Sequence, residues 1–227
     1  MLKVDNFDQV LSISISKKIA NRDIAHVKLY YVDGLLLNTG PPGMGEEIAE
    51  VLAGRKVRMI INTHDHPASI GNNAYLQRTF SAPIRAHKQI LEKVRYPHQN
   101  VISRFMWGQL QPSKVSKIQT SVQVGERYFR VLETPGRYPG HICLFEPERK
   151  WLFSGDLLIE SNRKNANEHR LEKDLRRILA LEPDTVFCGR NGILEGGVAL
   201  IEARIHAPKL DERFDNSDFS RAQFGDV

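Results

Sequence analysis

Two histidines, His64 and His66, follow an apolar run, Ile60-Ile61, within Asn62-Thr63-His64-Asp65-His66. Side chains two positions apart share a face of extended chain. A strand that ends in Thr-His-x-His can therefore aim both imidazoles at one metal ion. The plainer alternative is a pair of hydrogen-bonded histidines without a metal. The same loop holds Asp65, His66 and Ser69, the residue types of a hydrolytic triad. A triad is defined by geometry, and neighbours on one short loop seldom align. Pro67 further restricts the backbone at His66.

Charge suggests a second chemistry. From His66 to Gly125 the basic residues are Arg78, Arg85, Lys88, Lys93, Arg95, Arg104, Lys114 and Lys117, against the single acid Glu92, a net +7 in a chain of net +5. Tyr96, Phe105 and Trp107 are interspersed among them. A basic stretch with aromatics can hold nucleic acid or another polyanion through phosphate contacts and stacking. A solvated basic face, with the aromatics packing a loop into the core, is the preferred expectation for segment 66–125. Nucleic acid is thus a possible partner, not the favoured one.

Further motifs stand in order along the chain: Leu35-Leu36-Leu37-Asn38-Thr39-Gly40, Thr134-Pro135-Gly136-Arg137-Tyr138-Pro139-Gly140-His141, Phe153-Ser154-Gly155-Asp156 and Phe187-Cys188-Gly189-Arg190-Asn191-Gly192. With the loop at 63–71 they resemble the metallo-β-lactamase superfamily over roughly residues 10–205. The resemblance implies an α/β fold, a four-layer αββα sandwich, and the chemistry of a dinuclear metallohydrolase. It places His64, His66, residue 137 and Asp156 around one metal, and residues 68, 69 and 190, again with Asp156, around the other. His141 matches a family histidine that is not usually a ligand. Across the family the substrates include esters, lactams, thioesters and phosphodiesters, so no single substrate is implied, nor any oligomeric state.

The chain departs from that pattern at the ligands themselves. Ala68 stands for an Asp, Ser69 for a His, Arg137 and Arg190 each for a His, and Asn38 for an Asp. Ala68 has no lone pair, a serine hydroxyl is a poor ligand for zinc, and arginine remains protonated. The expectation is a pseudoenzyme with a degenerate metal site and no cofactor. The alternative is a hydrolase with one Zn or Fe ion at His64, His66 and Asp156, since two histidines and a carboxylate are a sufficient donor set. Arg137 and Arg190 would supply Asp156 with the positive charge that metals otherwise bring, through a charge-assisted hydrogen bond. Together with His64 and His66 they would also suit a small anionic ligand.

The elements that must position these residues follow from periodicity. Strands are expected over 10–16, 23–33, 35–37, 57–61, 83–86, 117–124, 127–133, 141–146, 150–154 and 185–188, with a hairpin turn at Asp33-Gly34. Helices are expected over 44–53, 71–80, 87–95, 168–181 and 194–205, and 97–115 is expected to be irregular. Residues 1–207 would form one domain and 208–227 a polar tail. Cys143 and Cys188 lie in apolar strand patterns and are expected in the core. No apolar run approaches the ~20 residues of a membrane span, and no signal pattern opens the chain, so a cytoplasmic location is expected.

Overall fold

Strands that are apolar at every position must be covered on both faces, and this chain has several. The computed structural model describes residues 1–19, 22–159 and 167–206. In it β1 (Leu2–Phe7), β2 (Val10–Ile19), β3 (Arg22–Val32), β4 (Leu35–Leu37), β5 (Met59–Asn62), β6 (Ile84–Ala86) and β7 (Val115–Lys117) form a seven-stranded sheet in sequence order. A six-stranded sheet follows, built from β8 (Ser121–Val124), β9 (Arg127–Glu133), β10 (Ile142–Glu146), β11 (Trp151–Gly155), β12 (Thr185–Cys188) and β13 (Gly192–Glu195), again in sequence order. Pairing is parallel from β4 through β7 and between β11 and β12, and antiparallel elsewhere.

Alternation along each strand assigns the layers. Tyr30, Val32, Leu35, Leu37 and Ile61 of the first sheet pack against Phe129, Ile142, Leu144, Phe153 and Phe187 of the second. The intervening residues Leu29, Leu36 and Ile60 point the other way, onto Ile48 of α1 (Gly45–Val51) and Leu76 of α3 (Asn73–Phe80). On the far side, Cys143, Leu152, Val186 and Cys188 pack against Leu171, Leu175 and Ile178 of α6 (Glu168–Leu179) and Ile201 of α7 (Gly197–His206). The result is the expected four-layer αββα sandwich, with both cysteines in its core. The turn at Asp33-Gly34 also forms as expected, both residues having positive φ (46° and 92°). Among the described residues no helix is long and apolar enough to cross a membrane. The tail at 208–227 lies outside the described residues.

Several elements differ from expectation. Residues 97–115 are not wholly irregular: α5 (Val101–Trp107) forms there, its N-terminus capped by Asn100 Oδ1 accepting from Ser103 N at 2.7 Å. The strand expected over 117–124 is two strands, β7 and β8, one in each sheet. The last helix is preceded by β13, which pairs antiparallel with β12. The helix expected over 71–80 forms as α3, and a short helix that was not expected, α2 (Pro67–Ile70), precedes it. Gly71 sits between the two, where an added Cβ would lie 2.2 Å from Pro42 N, so only glycine leaves room for the neighbouring backbone. The segment 87–95 is a 3₁₀ turn, Lys88–Ile90, followed by α4 (Leu91–Arg95).

Candidate functional site

The C-terminal ends of β4, β5, β11 and β12 lie side by side, and the residues just beyond them meet between the sheets. Ile142 N donates to Thr63 O at 2.9 Å, which ties the end of the first sheet to the start of β10. Gly189 N donates to Gly155 O at 2.8 Å, which draws the end of β12 against that of β11. A Cβ at Gly189 would lie 2.7 Å from Asp156 Oδ1, so a glycine here lets the carboxylate stand close to the strand end.

His64 is the centre of this cluster, with both ring nitrogens engaged. Its Nε2 lies 3.2 Å from Ser69 Oγ and 3.5 Å from Asp156 Oδ2, and its Nδ1 lies 2.9 Å from Thr63 Oγ1. A proton on Nε2 serves the carboxylate, which only accepts when ionised. Nδ1 then accepts from the Thr63 hydroxyl, which in turn accepts from Asn38 Nδ2 at 3.1 Å. Asn38 holds this corner with a left-handed backbone (φ 61°) and accepts Thr63 N at 3.0 Å through Oδ1. Asparagine adopts that conformation more readily than most residues.

His66 turns to a different task. Its Nδ1 accepts from Ala68 N at 3.2 Å and so caps α2, while its ring meets the Trp107 indole edge-on at 4.9 Å between centroids. Burial, reinforced by the neighbouring His64, pushes its pKa down to about 4, and the Arg190 cation adds to the shift. The ring is therefore neutral, with its proton on Nε2. Among the described residues, no three His, Cys, Asp or Glu side chains are grouped to hold one metal ion.

The turn at 134–141 supplies the other wall. Tyr138 stacks on the His64 ring at 5.7 Å, and the Arg137 guanidinium carbon lies 4.9 Å from the Tyr138 centroid. Arg137 is buried, at 2% exposure. Beside Asp156 stands His64, whose Nε2 is 3.5 Å from Oδ2. The turn lays Arg137 over Tyr138, and Arg190, one residue beyond Gly189, is close enough for its charge to depress the His66 pKa. The triad types on the loop do not assemble either: Asp65 pairs with Lys93 Nζ at 3.0 Å, and Ser69 bonds His64 rather than His66.

His141, which the sequence left without a role, orients the carboxylate segment. Its Nε2 accepts from Asp156 N at 3.2 Å, so its proton sits on Nδ1, 2.7 Å from Thr134 Oγ1. Complete burial, then the charges of His64 and Arg137, hold its pKa well below the ordinary imidazole range. The sign of the resulting pH dependence is fixed. Unfolded histidines take up protons near pH ~6.5 while the folded His66 and His141 do not, so stability is complete above that pH and falls as the pH drops toward ~4. Each such histidine contributes a slope of up to ~1.4 kcal/mol per pH unit. Calorimetric melts from pH ~7 to ~5 are expected to show a falling midpoint, with a shallower fall in His141→Gln. An unchanged slope in that variant would show that His141 titrates normally.

Fold and site together define the class: the chain belongs to the metallo-beta-lactamase superfamily, whose family model matches residues 32–190. Among curated relatives it is similar to an uncharacterized protein of Aquifex aeolicus (strain VF5), 30% identical over 166 residues, covering 66% of this chain and 75% of that one. It also resembles a hydroxyacylglutathione hydrolase of Bdellovibrio bacteriovorus, 29% identical over 153 residues, covering 65% of this chain and 55% of the relative, so the match spans about half of that enzyme's length. Of solved structures, a metallo-beta-lactamase from Pontibacter korlensis superposes with a TM-score of 0.68 at 16% identity, covering 90% of this chain and 97% of that one. A protein solved in a di-iron-bound form gives 0.62 at 22% identity, covering 82% and 95%.

Proposed function

We propose that this chain has left dinuclear hydrolysis and acts as a binding member of the superfamily, a pseudoenzyme whose strand-end cluster takes a small anion. The observation that carries this reading is the 3.2 Å contact between His64 Nε2 and Ser69 Oγ. A residue at a metal-ligand position has become the hydrogen-bond partner of another ligand residue, and the cluster satisfies itself. Ala68 offers no donor atom, and Arg137 and Arg190 bring fixed positive charge to positions where two metals would need lone pairs. The donor set does not fit two metal ions. The same two cations favour a carboxylate or phosphate as ligand.

A second reading, a hydrolase using one Zn or Fe ion at His64, His66 and Asp156, is favoured by the relatives named hydroxyacylglutathione hydrolase. One experiment separates the two. Elemental analysis of protein purified without chelator is expected to find no tightly bound pair of metals, and thermal melts are expected to be indifferent to zinc and to chelator. Asp156→Ala, which removes a charge-assisted contact to His64, should cost about 1–3 kcal/mol in either medium. A melting point raised by zinc and lowered by chelator in the parent, with neither shift in Asp156→Ala, would establish the single-metal reading instead, because a ligand bound only by the folded state stabilises it by mass action.

A further inference from the structure

The basic stretch noted in the sequence is not consumed by the strand-end cluster. Part of it folds around a separate cavity of about 820 Å³, between α3, α4 and the segment leading into β7. Arg78, Arg95 and Lys114 line it together with Gln77, Tyr96 and Ser116, and no carboxylate is among its lining residues. Its wall is fixed rather than improvised. The Gln77 side-chain amide pairs with the Lys114 backbone in both directions, Nε2 donating to Lys114 O at 2.6 Å and Oε1 accepting from Lys114 N at 3.0 Å. Arg95 is anchored by Nε donating to Val115 O at 2.9 Å. One of its terminal nitrogens meets Glu92 Oε1 at 3.4 Å, and Glu92 lines the adjoining cavity instead.

That adjoining cavity, of about 680 Å³, runs past Pro67 and Asp65 beside His66. Tyr96 lines both cavities and is 61% exposed, so it is shared between them. Three cations and an exposed aromatic residue lining one cavity, in a volume within the ~300–1,000 Å³ usual for small-molecule sites, have a definite chemical complement. We propose that the cavity binds the phosphates of a nucleotide, with the nucleobase laid on Tyr96 and directed toward the neighbouring cavity. Arginine forks suit phosphate oxygens, and every base offers a face for stacking. The inference does not rest on the reading of the strand-end cluster.

Equilibrium binding of adenosine diphosphate, inorganic pyrophosphate and a short fluorescein-labelled oligodeoxyadenylate to the full chain tests it. The parent is expected to bind the diphosphate, less tightly as salt rises. Arg78→Ala/Lys114→Ala should weaken that binding at least about tenfold, as loss of charge-assisted hydrogen bonds does. Lys3→Ala/Lys173→Ala, which removes the same charge from exposed positions outside the cavity, should leave it within about twofold of the parent, the size of a general screening effect. Tyr96→Ala should weaken the nucleotide several-fold and leave pyrophosphate unchanged. Equal losses in the two double variants, no diphosphate binding at low salt, binding of the oligonucleotide alone, or equal effects of Tyr96→Ala on nucleotide and pyrophosphate would each overturn the proposal.

Discussion

Phe187→Ala is expected to lower the unfolding free energy by about 3–5 kcal/mol, the range for deleting a fully buried aromatic. Phe187 has no exposed surface. It stacks on Phe153 at 4.5 Å between centroids and meets Phe7, Tyr30 and Trp151 edge-on at 5.8, 5.4 and 5.5 Å. These partners come from both sheets, so the ring is a principal contact across the middle of the sandwich. The loss also reaches the candidate site, because Phe187 lies on the strand that delivers Gly189 and Arg190, and Tyr30 fixes that strand end by donating from its hydroxyl to Cys188 O at 2.7 Å. Urea denaturation measures the effect. Phe187→Leu, which leaves a smaller void, should cost clearly less. A loss below about 1 kcal/mol in the alanine variant would show that neighbouring rings refill the space.

Gly136→Ala is expected to cost about 3 kcal/mol or more, through a clash that no rotamer relieves. A Cβ at this position would lie 2.3 Å from Leu171 N and 2.4 Å from Leu171 Cα, both backbone atoms of α6. The helix and the turn are further joined by Asn167 N donating to Gly136 O at 3.0 Å and Gly136 N donating to Asp174 Oδ2 at 2.9 Å. Moving α6 away would break these bonds and displace Arg137 and Tyr138, which follow directly. Asp174→Ala removes the carboxylate without a clash and should cost less, about 1–3 kcal/mol for an amide left unpaired. Hydrogen exchange of α6 amides is the discriminating measurement. Protection retained in Gly136→Ala would show that the turn yields and the helix does not.

The layered sandwich came from the ordered motifs and the family they resemble, while the strand residues by themselves declared an α/β fold with two-faced strands. In β10 to β12, Ile142, Leu144, Phe153 and Phe187 serve one core while Cys143, Leu152 and Val186 serve another, and a run that is apolar on both faces needs cover on both. α5 escaped that logic because its apolar residues do not make an inward stripe: Val101, Ile102 and Phe105 are 84%, 70% and 79% exposed. Its signal was local, an Asn followed three residues later by the Ser whose amide it caps. The switch from β7 to β8 has no Gly or Pro to mark it, only Ile118-Gln119-Thr120. At the site, motif order was enough to single out His64, His66, Arg137, Asp156 and Arg190. What bonds to what depends on turns: Ser69 reaches His64 because α2 winds once between them, and the turn at 134–141 places Tyr138 on His64 and Arg137 over Tyr138.

Because each sheet is drawn from one continuous half of the chain, a ribosome would complete the first before any strand of the second existed. The nascent protein would then display Val10, Tyr30, Leu35, Leu37 and Ile61, an apolar face whose cover begins only at β8. A face of that kind invites aggregation or chaperone capture until the second half arrives. The two strand-end halves of the candidate site are likewise synthesised apart, and the cluster of His64 with Asp156 closes only when the sheets dock, late in the life of the nascent chain.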